Sequence, residues 1–381
     1  MAVVRSSPSG QERGRTVILN GMSSRRSSAV PAPQFRLATA LVLLCSAGCA
    51  ATNPGTPPPN ETLVVLNTVD GTLSVLPITS PGPASSIVLS TDSGAATGIA
   101  MLGSTVVVSV AAPREILVVS LTGRFVRRRV TLEHEPGGVS MVNDSVAYVA
   151  GPAANVVTRV NIQTGDTASV MAGQTPMAFA VARGRVFVLN ANLALACDTT
   201  APCILGPSWL TVIDPDGNIV SDSIGMPGPG NGSAIVVGGD GLLYALSSGG
   251  AEEPGRIVIV DPVSRTEVGS FGGFGLLPRA IASDGRERLY VVSPTVGLME
   301  FNTRTRRVVR GAESGIPLQD PRSLVVDGSG LVYVIESGGC VWPVPGRIRV
   351  FRQELTEARR VPAGICADAS GLVKLPPVLP E

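Results

Sequence analysis

Arg279 and Arg322 each directly follow a proline, in Pro278-Arg279-Ala280-Ile281 and Pro321-Arg322-Ser323-Leu324. If the fold brings the two guanidinium groups together, they would hold a carboxylate or phosphate through charge-assisted hydrogen bonds. The competing reading is structural, with Asp320, Glu336 or other nearby carboxylates pairing with them. His134 is the sole histidine and lies in Leu132-Glu133-His134-Glu135-Pro136. It is a candidate for proton transfer, although a histidine flanked by glutamates in a polar loop is more often simply solvated. Trp342 and Trp209 are the only tryptophans, and aromatic residues make up 4% of the chain, which disfavours sugar recognition on aromatic platforms. Asp240, Asp284, Asp327 and Asp368 recur in Asp/Gly/Ser settings, where the side chain caps its own turn; they are not clustered as calcium requires. The expectation is no metal, no cofactor and no catalytic set, with Arg279, Arg322, His134 and Trp342 as candidate ligand contacts.

These residues hang on a repeat. Pro136-Gly137-Gly138-Val139, Pro176-Met177-Ala178-Phe179, the two arginine-bearing segments and Pro362-Ala363-Gly364-Ile365 share a pattern of proline followed three places on by an apolar residue. Each leads into turn residues and a Val-rich run, at a period of about forty to fifty residues, which signals a propeller or solenoid. Taking the proline pattern as the entry to the innermost strand, a, whole blades begin near Thr97, Gly137, Met177, Gly232, Arg279 and Arg322. Third strands follow at residues 116–121, 156–162, 210–214, 257–261, 298–302 and 348–351. Asp214-Pro215-Asp216-Gly217 and Asp261-Pro262-Val263-Ser264 supply turns into the fourth strands. Residues 63–66, 73–76 and 86–89 read as strands b, c and d lacking an a, while residues 364–375 read as an a with the start of a b. Joined, they complete an all-β, seven-bladed propeller closed by strands from both termini, with no open sheet edge at the seam. The d–a and b–c loops share one face of such a ring. The long connections 190–208, 247–256 and 336–347 fall there, as do His134, Trp342 and both arginines.

Ahead of the repeats, residues 1–48 form a targeting region, with Met22 as a plausible true start. Arg25, Arg26 and Arg36 precede the apolar run 37–44, which is under half of the ~20 residues a bilayer span needs. Ser46-Ala47-Gly48-Cys49 resembles the lipobox of bacterial lipoproteins, although that family prefers Leu where Ser46 stands. The resemblance implies lipidation of Cys49 and a cell-envelope location; Ala50, in place of the Asp of retained lipoproteins, implies the outer membrane. An ordinary secretory signal cleaved near Ala47 is the alternative. Residues 49–61 are Pro-rich, and a semi-rigid tether of this length reaches at most ~40 Å. The propeller then occupies residues 62–381.

Export makes disulfides the expected state of the four remaining cysteines, Cys197, Cys203, Cys340 and Cys366. Three connectivities exist. The short segment between them favours Cys197–Cys203 as a loop clip, leaving Cys340–Cys366 to pin the closing blade, worth roughly 2.4 and 3.5 kcal/mol in the chain-entropy description. Zinc is disfavoured, because the spacing is wrong and no histidine is near.

Net charge is +1 and basic residues are scattered; the densest run is Arg127-Arg128-Arg129. On an outer strand these would point to alternate, wet faces, and no one-sided basic excess suggests nucleic acid. The third strands ending in Asp-Pro, with Leu289-Tyr290-Val291-Val292, look like YVTN repeats of bacterial surface-layer propellers, and residues 321–330 look like an NHL repeat. Those families include scaffolds, adhesins, lyases and lactonases, so the resemblance implies a fold and transfers no activity. The first expectation for function is a membrane-tethered binding or scaffold module, with a protein or small anionic ligand on the long-loop face. The alternative is a lactonase- or lyase-like enzyme acting on a small anionic substrate at the channel mouth. A quinoprotein dehydrogenase is third, because the tryptophan-rich docking pattern of that family is missing.

Overall fold

Runs such as Thr105–Val110 (TVVVSV) lack the apolar–polar alternation of a half-exposed antiparallel strand, so both of their faces need cover. Neighbouring sheets provide it. The computed structural model describes residues 61–78, 85–92, 95–194 and 203–375. Among them are seven four-stranded antiparallel sheets and one two-stranded hairpin, Leu193–Ala194 with Cys203–Ile204. The first strand of every sheet touches the first strands of both neighbours, which places these strands around a central axis. The fold is a seven-bladed β-propeller.

Blades 1 to 6 begin with Ala96–Leu102, Val139–Met141, Pro176–Ala182, Gly232–Val237, Ala280–Ser283 and Pro321–Val326. Blade 7 takes Ala367–Lys374 as its inner strand, then Glu61–Asn67, Thr72–Pro77 and Ser85–Val88 from the other end of the described chain. Glu61 stands opposite Lys374, and Leu63 opposite Leu372. One expectation fails here. Pro362-Ala363-Gly364-Ile365 is not a blade entry: it ends the outer strand of blade 6, Glu357–Ile365. A proline is tolerated on such an edge strand because the N–H it lacks has no neighbour to bond. Of residues 364–375, expected to hold an inner strand and the start of a second, Gly364 and Ile365 belong to that outer strand, and Ala367–Lys374 form one continuous inner strand, reached through Cys366 alone with φ +54°. The expected signal region and residues 49–60 of the expected tether lie outside the described residues, while Glu61, expected as the last residue of the tether, already opens the strand Glu61–Asn67.

Because side chains alternate along a strand, each central strand feeds two interfaces. Val106, Val108 and Val110 of blade 1 pack against Val64 and Leu66 of blade 7. Val107, between them, packs with Ala147 and Val149 of blade 2. Leu63 and Val65 of blade 7 turn the other way, to Tyr333 and Ile335 of blade 6. The remaining four interfaces each hold their own cluster. All seven lie within residues 61–375.

Polar stitches join the blades outside these clusters. In the c–d turns, Arg124, Asn218, Arg265 and Arg306 all adopt positive φ. Each reaches back to the outer strand of the preceding blade. Arg124 donates to Ser85 Oγ at 2.8 Å, Asn218 to the Ala168 carbonyl at 3.2 Å, Arg265 to Asp222 at 3.1 Å and Arg306 to the Val268 carbonyl at 2.9 Å.

Candidate functional site

Antiparallel blades put the d–a and b–c connections on one face, here called upper, and the a–b and c–d turns on the other. The long connections after Arg185–Asn190, Leu243–Ser247 and Val332–Glu336 are all b–c loops and therefore upper. Most lower turns contain only a few residues. The chain enters blade 7 at Glu61 on the lower side.

At the upper mouth of the axial channel, Arg279 and Arg322 converge on one carboxylate. Arg279 Nη1 lies 3.2 Å from Asp320 Oδ1, while Arg322 Nε and Nη2 lie 3.1 and 2.8 Å from Asp320 Oδ2. The Ser337 hydroxyl donates to the same Oδ2 at 2.5 Å. Burial works to raise the Asp320 pKa, but Ser337 and the two arginines outweigh it and hold the carboxyl below its ordinary value. Asp368 stands 3.9 Å from Arg322 Nη1. Burial pushes its pKa up, with Arg322 and Arg279 opposing and Asp320 adding to the rise; over a third of the side chain still meets solvent. Two cations and two carboxyl groups therefore share the mouth.

Asp368 was expected in a turn. Asp327 does sit in one, where its Oδ1 accepts the N–H groups of Ser329 and Leu331 and its Oδ2 the Tyr333 hydroxyl. Asp368-Ala369-Ser370-Gly371 imitates Asp327-Gly328-Ser329-Gly330 in sequence, but it lies inside the inner strand of blade 7. Only the misplaced strand boundary hid it.

Arg279 also belongs to a structural series. Thr97 donates to the carbonyl of Pro136 at 3.1 Å, Ser233 to that of Pro278 at 3.4 Å, and Arg279 to that of Pro321 at 3.4 Å. Each side chain near a blade entry thus reaches the entry proline of the next blade. Asp320 has φ +43°, but Thr175 and Leu277, at the matching pre-proline positions, have φ +55° and +50°. That geometry marks blade entry and is not by itself a sign of ligand binding.

Trp342 stands beside this mouth on the b–c loop of blade 6. Gly339 and Val344 exchange backbone hydrogen bonds at 3.0 and 3.3 Å, closing a tight hairpin over residues 340–343. A Cβ at Gly339 would fall 2.0 Å from the Trp342 carbonyl oxygen, so this closure needs glycine. Cys340 at the hairpin base is bonded to Cys366, the one-residue link between blades 6 and 7. The tip is apolar and open, with Val341 87% and Trp342 81% exposed. Beneath it is a cleft of about 330 Å³ lined by Gln319, Asp320, Glu336, Val344 and Arg347, among others. Glu336 is buried, accepts the Gln319 N–H at 2.7 Å and is paired with Arg347 and Arg349. Asp320 thus belongs to both the arginine cluster and the cleft.

His134 is elsewhere. It lies in the connection between blades 1 and 2, 3.8 Å from Glu133, whereas the arginines occupy blades 5 and 6. The hairpin that carries Trp342 borders, through Gly339 and Val344, the cleft that Asp320 also lines, whereas His134 stands apart. Cys203 is disulfide-bonded; Cys197, its expected partner, lies outside the described residues, as does Cys49. Among the described residues no group of three His, Cys, Asp or Glu is arranged to hold a metal ion.

No protein-family description matches the sequence, and no curated protein does. Solved structures do match. Hydrazine synthase from Kuenenia stuttgartiensis superposes with a TM-score of 0.60 at 13% identity, over 82% of this chain and 99% of that one. A quinonprotein alcohol dehydrogenase-like protein from Bacteroides thetaiotaomicron gives 0.58 at 12% identity, over 82% and 78%. Likeness at such identities is one of fold, and function has to be argued from the site.

Proposed function

We propose that this chain is a lipoprotein tethered to the outer membrane through Cys49, whose YVTN/NHL-like propeller serves as a binding or scaffold module. The observation that carries the binding reading is the blade 6 hairpin. A tryptophan and a valine are held out in solvent by a disulfide and a glycine-dependent turn, above a cleft with polar walls. Exposed aromatic anchors of this kind dominate the energetics of protein interfaces. The charged groups at the adjacent mouth satisfy one another, which suits a rim around such an anchor better than a catalytic centre.

A photoreactive residue placed at position 342 should form a discrete covalent adduct in intact cells. The same residue at Val263, exposed in a lower-face turn, should form none. Absence of an adduct from position 342 would remove the upper-face assignment. Tethering is tested separately: Cys49→Ala should abolish lipid labelling and release the protein from the membrane fraction, and unchanged mass and association would defeat it.

A second reading is supported by Asp368. A carboxyl whose pKa is raised beside two arginines suits an enzyme acting on a small anionic substrate. Calorimetry with small carboxylates and phosphates should then show binding that Arg279→Ala or Arg322→Ala weakens by roughly ten- to a hundredfold. No heat, or heat indifferent to both changes, would eliminate this reading.

A further inference from the structure

Residues 61–381 carry 24 basic and 28 acidic side chains, because six arginines and one glutamate precede them. Against that negative background, one groove is strongly positive. It runs up the outer wall from the lower rim, between Ser85–Val88 of blade 7 and Phe125–Thr131 of blade 1. Its volume is about 730 Å³, and its lining includes Arg124, Arg127, Arg128 and Arg129. Only Arg129 meets a carboxylate there, that of Glu115. Arg124 and Arg128 spend their bonds on uncharged oxygens, of Ser85 and Ser86 and of Thr164. Among the described residues the Arg127 side chain makes no hydrogen bond or ion pair. Phe125 and Val88 are 56% and 65% exposed on either side.

On a regular strand Arg127, Arg128 and Arg129 would point to alternate faces. The pairing is not regular. Val118 opposes Arg128 and Val119 opposes Val126, so Arg127 is the extra residue of a β-bulge. A bulge lined with arginines blocks the addition of another strand at this edge. It leaves guanidinium groups beside exposed apolar side chains, the combination that adsorbs a protein to an anionic lipid surface. The groove starts at Arg124, on the same lower side by which the chain enters at Glu61.

We propose that this groove docks the propeller onto a membrane surface through anionic lipid headgroups, with Phe125 entering the interface. The assignment rests on the tethered reading for the source of the lipid and on the groove alone for the chemistry.

The test uses residues 50–381, which hold all seven interface clusters and lack Cys49, so the fate of Cys49→Ala has no bearing on it. Vesicles of phosphatidylethanolamine with phosphatidylglycerol should bind this protein, and phosphatidylcholine vesicles should not. Arg127→Ala and Arg128→Gln should each weaken binding by about fivefold, and Phe125→Ala should weaken it too, with melting temperatures little changed. Arg307→Ala, at an exposed position on the outer strand of blade 5, should leave binding intact. Equal binding to neutral vesicles, or equal loss from the Arg307 control, overturns the proposal. Displacement by millimolar inorganic phosphate would reassign the groove to free anions. Binding of an acidic peptide in preference to vesicles would reassign it to a protein partner.

Discussion

Asp320 shows how one side chain decides whether a pair of arginines is a site or a joint. It takes hydrogen bonds from Ser337, Arg322 and Arg279, and its folded pKa is depressed despite burial. A depressed carboxylate stabilises the fold fully above its unfolded value, 3.8, and loses that contribution as the pH falls through the folded value. Asp320→Asn should therefore cost about 1–2 kcal/mol at neutral pH, given a partly exposed charged hydrogen bond. It should also flatten the fall of melting temperature below pH 4. An unchanged acid limb would show that the cluster is not held by this carboxylate. Asp368 has the opposite sign: its pKa is raised, so its charge opposes folding above that value. Asp368→Asn should be neutral or stabilising at pH 7, as measured by denaturant titration. The repeat made the placement of Arg279 and Arg322 legible in sequence, because equivalent prolines imply equivalent positions. The role of Asp368 was not legible, since its local sequence copies a turn and only strand pairing distinguishes the two.

At the scale of the element, the blades are held by devices that recur with different residues. Thr97, Ser233 and Arg279 perform one stitch; Arg124, Asn218, Arg265 and Arg306 perform another. Strand positions were legible because strands buried on both faces leave unbroken Val/Leu/Ile runs. The stitches were not, because a hydroxyl, an amide and a guanidinium can each donate to whichever oxygen the neighbouring blade offers, and they leave no common residue type. Proline misled in one place, Pro362, where an edge strand accepts it. The Cys340–Cys366 bond is a further device of this class, closing 26 residues of chain and linking the exposed hairpin to the joint between blades 6 and 7. Paired Cys340→Ser and Cys366→Ser changes should lower stability by about 3.5 kcal/mol in the chain-entropy description. They should also speed hydrogen exchange at residues 338–346. A double variant as stable as the parent under non-reducing conditions would mean that the joint is set by blade packing alone.

For the whole molecule, the seven interface clusters form a closed cycle, and blade 7 is the one that the two ends of the chain must complete together. Deleting residues 367–381 removes its inner strand, opens the hydrogen-bonding edge of Glu61–Asn67 and uncovers the flanks of blades 6 and 1 that pack on that strand. Such an edge templates aggregation. The truncated protein should aggregate, or melt over a visibly broader range than the parent in a calorimeter. A sharp transition would mean that six blades suffice.

The pairing of Glu61 with Lys374 also sets a clock. At synthesis rates of about 5–20 residues per second, Leu63 to Leu66 emerge roughly 15–60 seconds before the strand that covers them exists. During that interval an early, apolar segment has no native neighbour on its inner side. The first residues of the domain to be made therefore complete their native pairing only once nearly all of the rest has been synthesised.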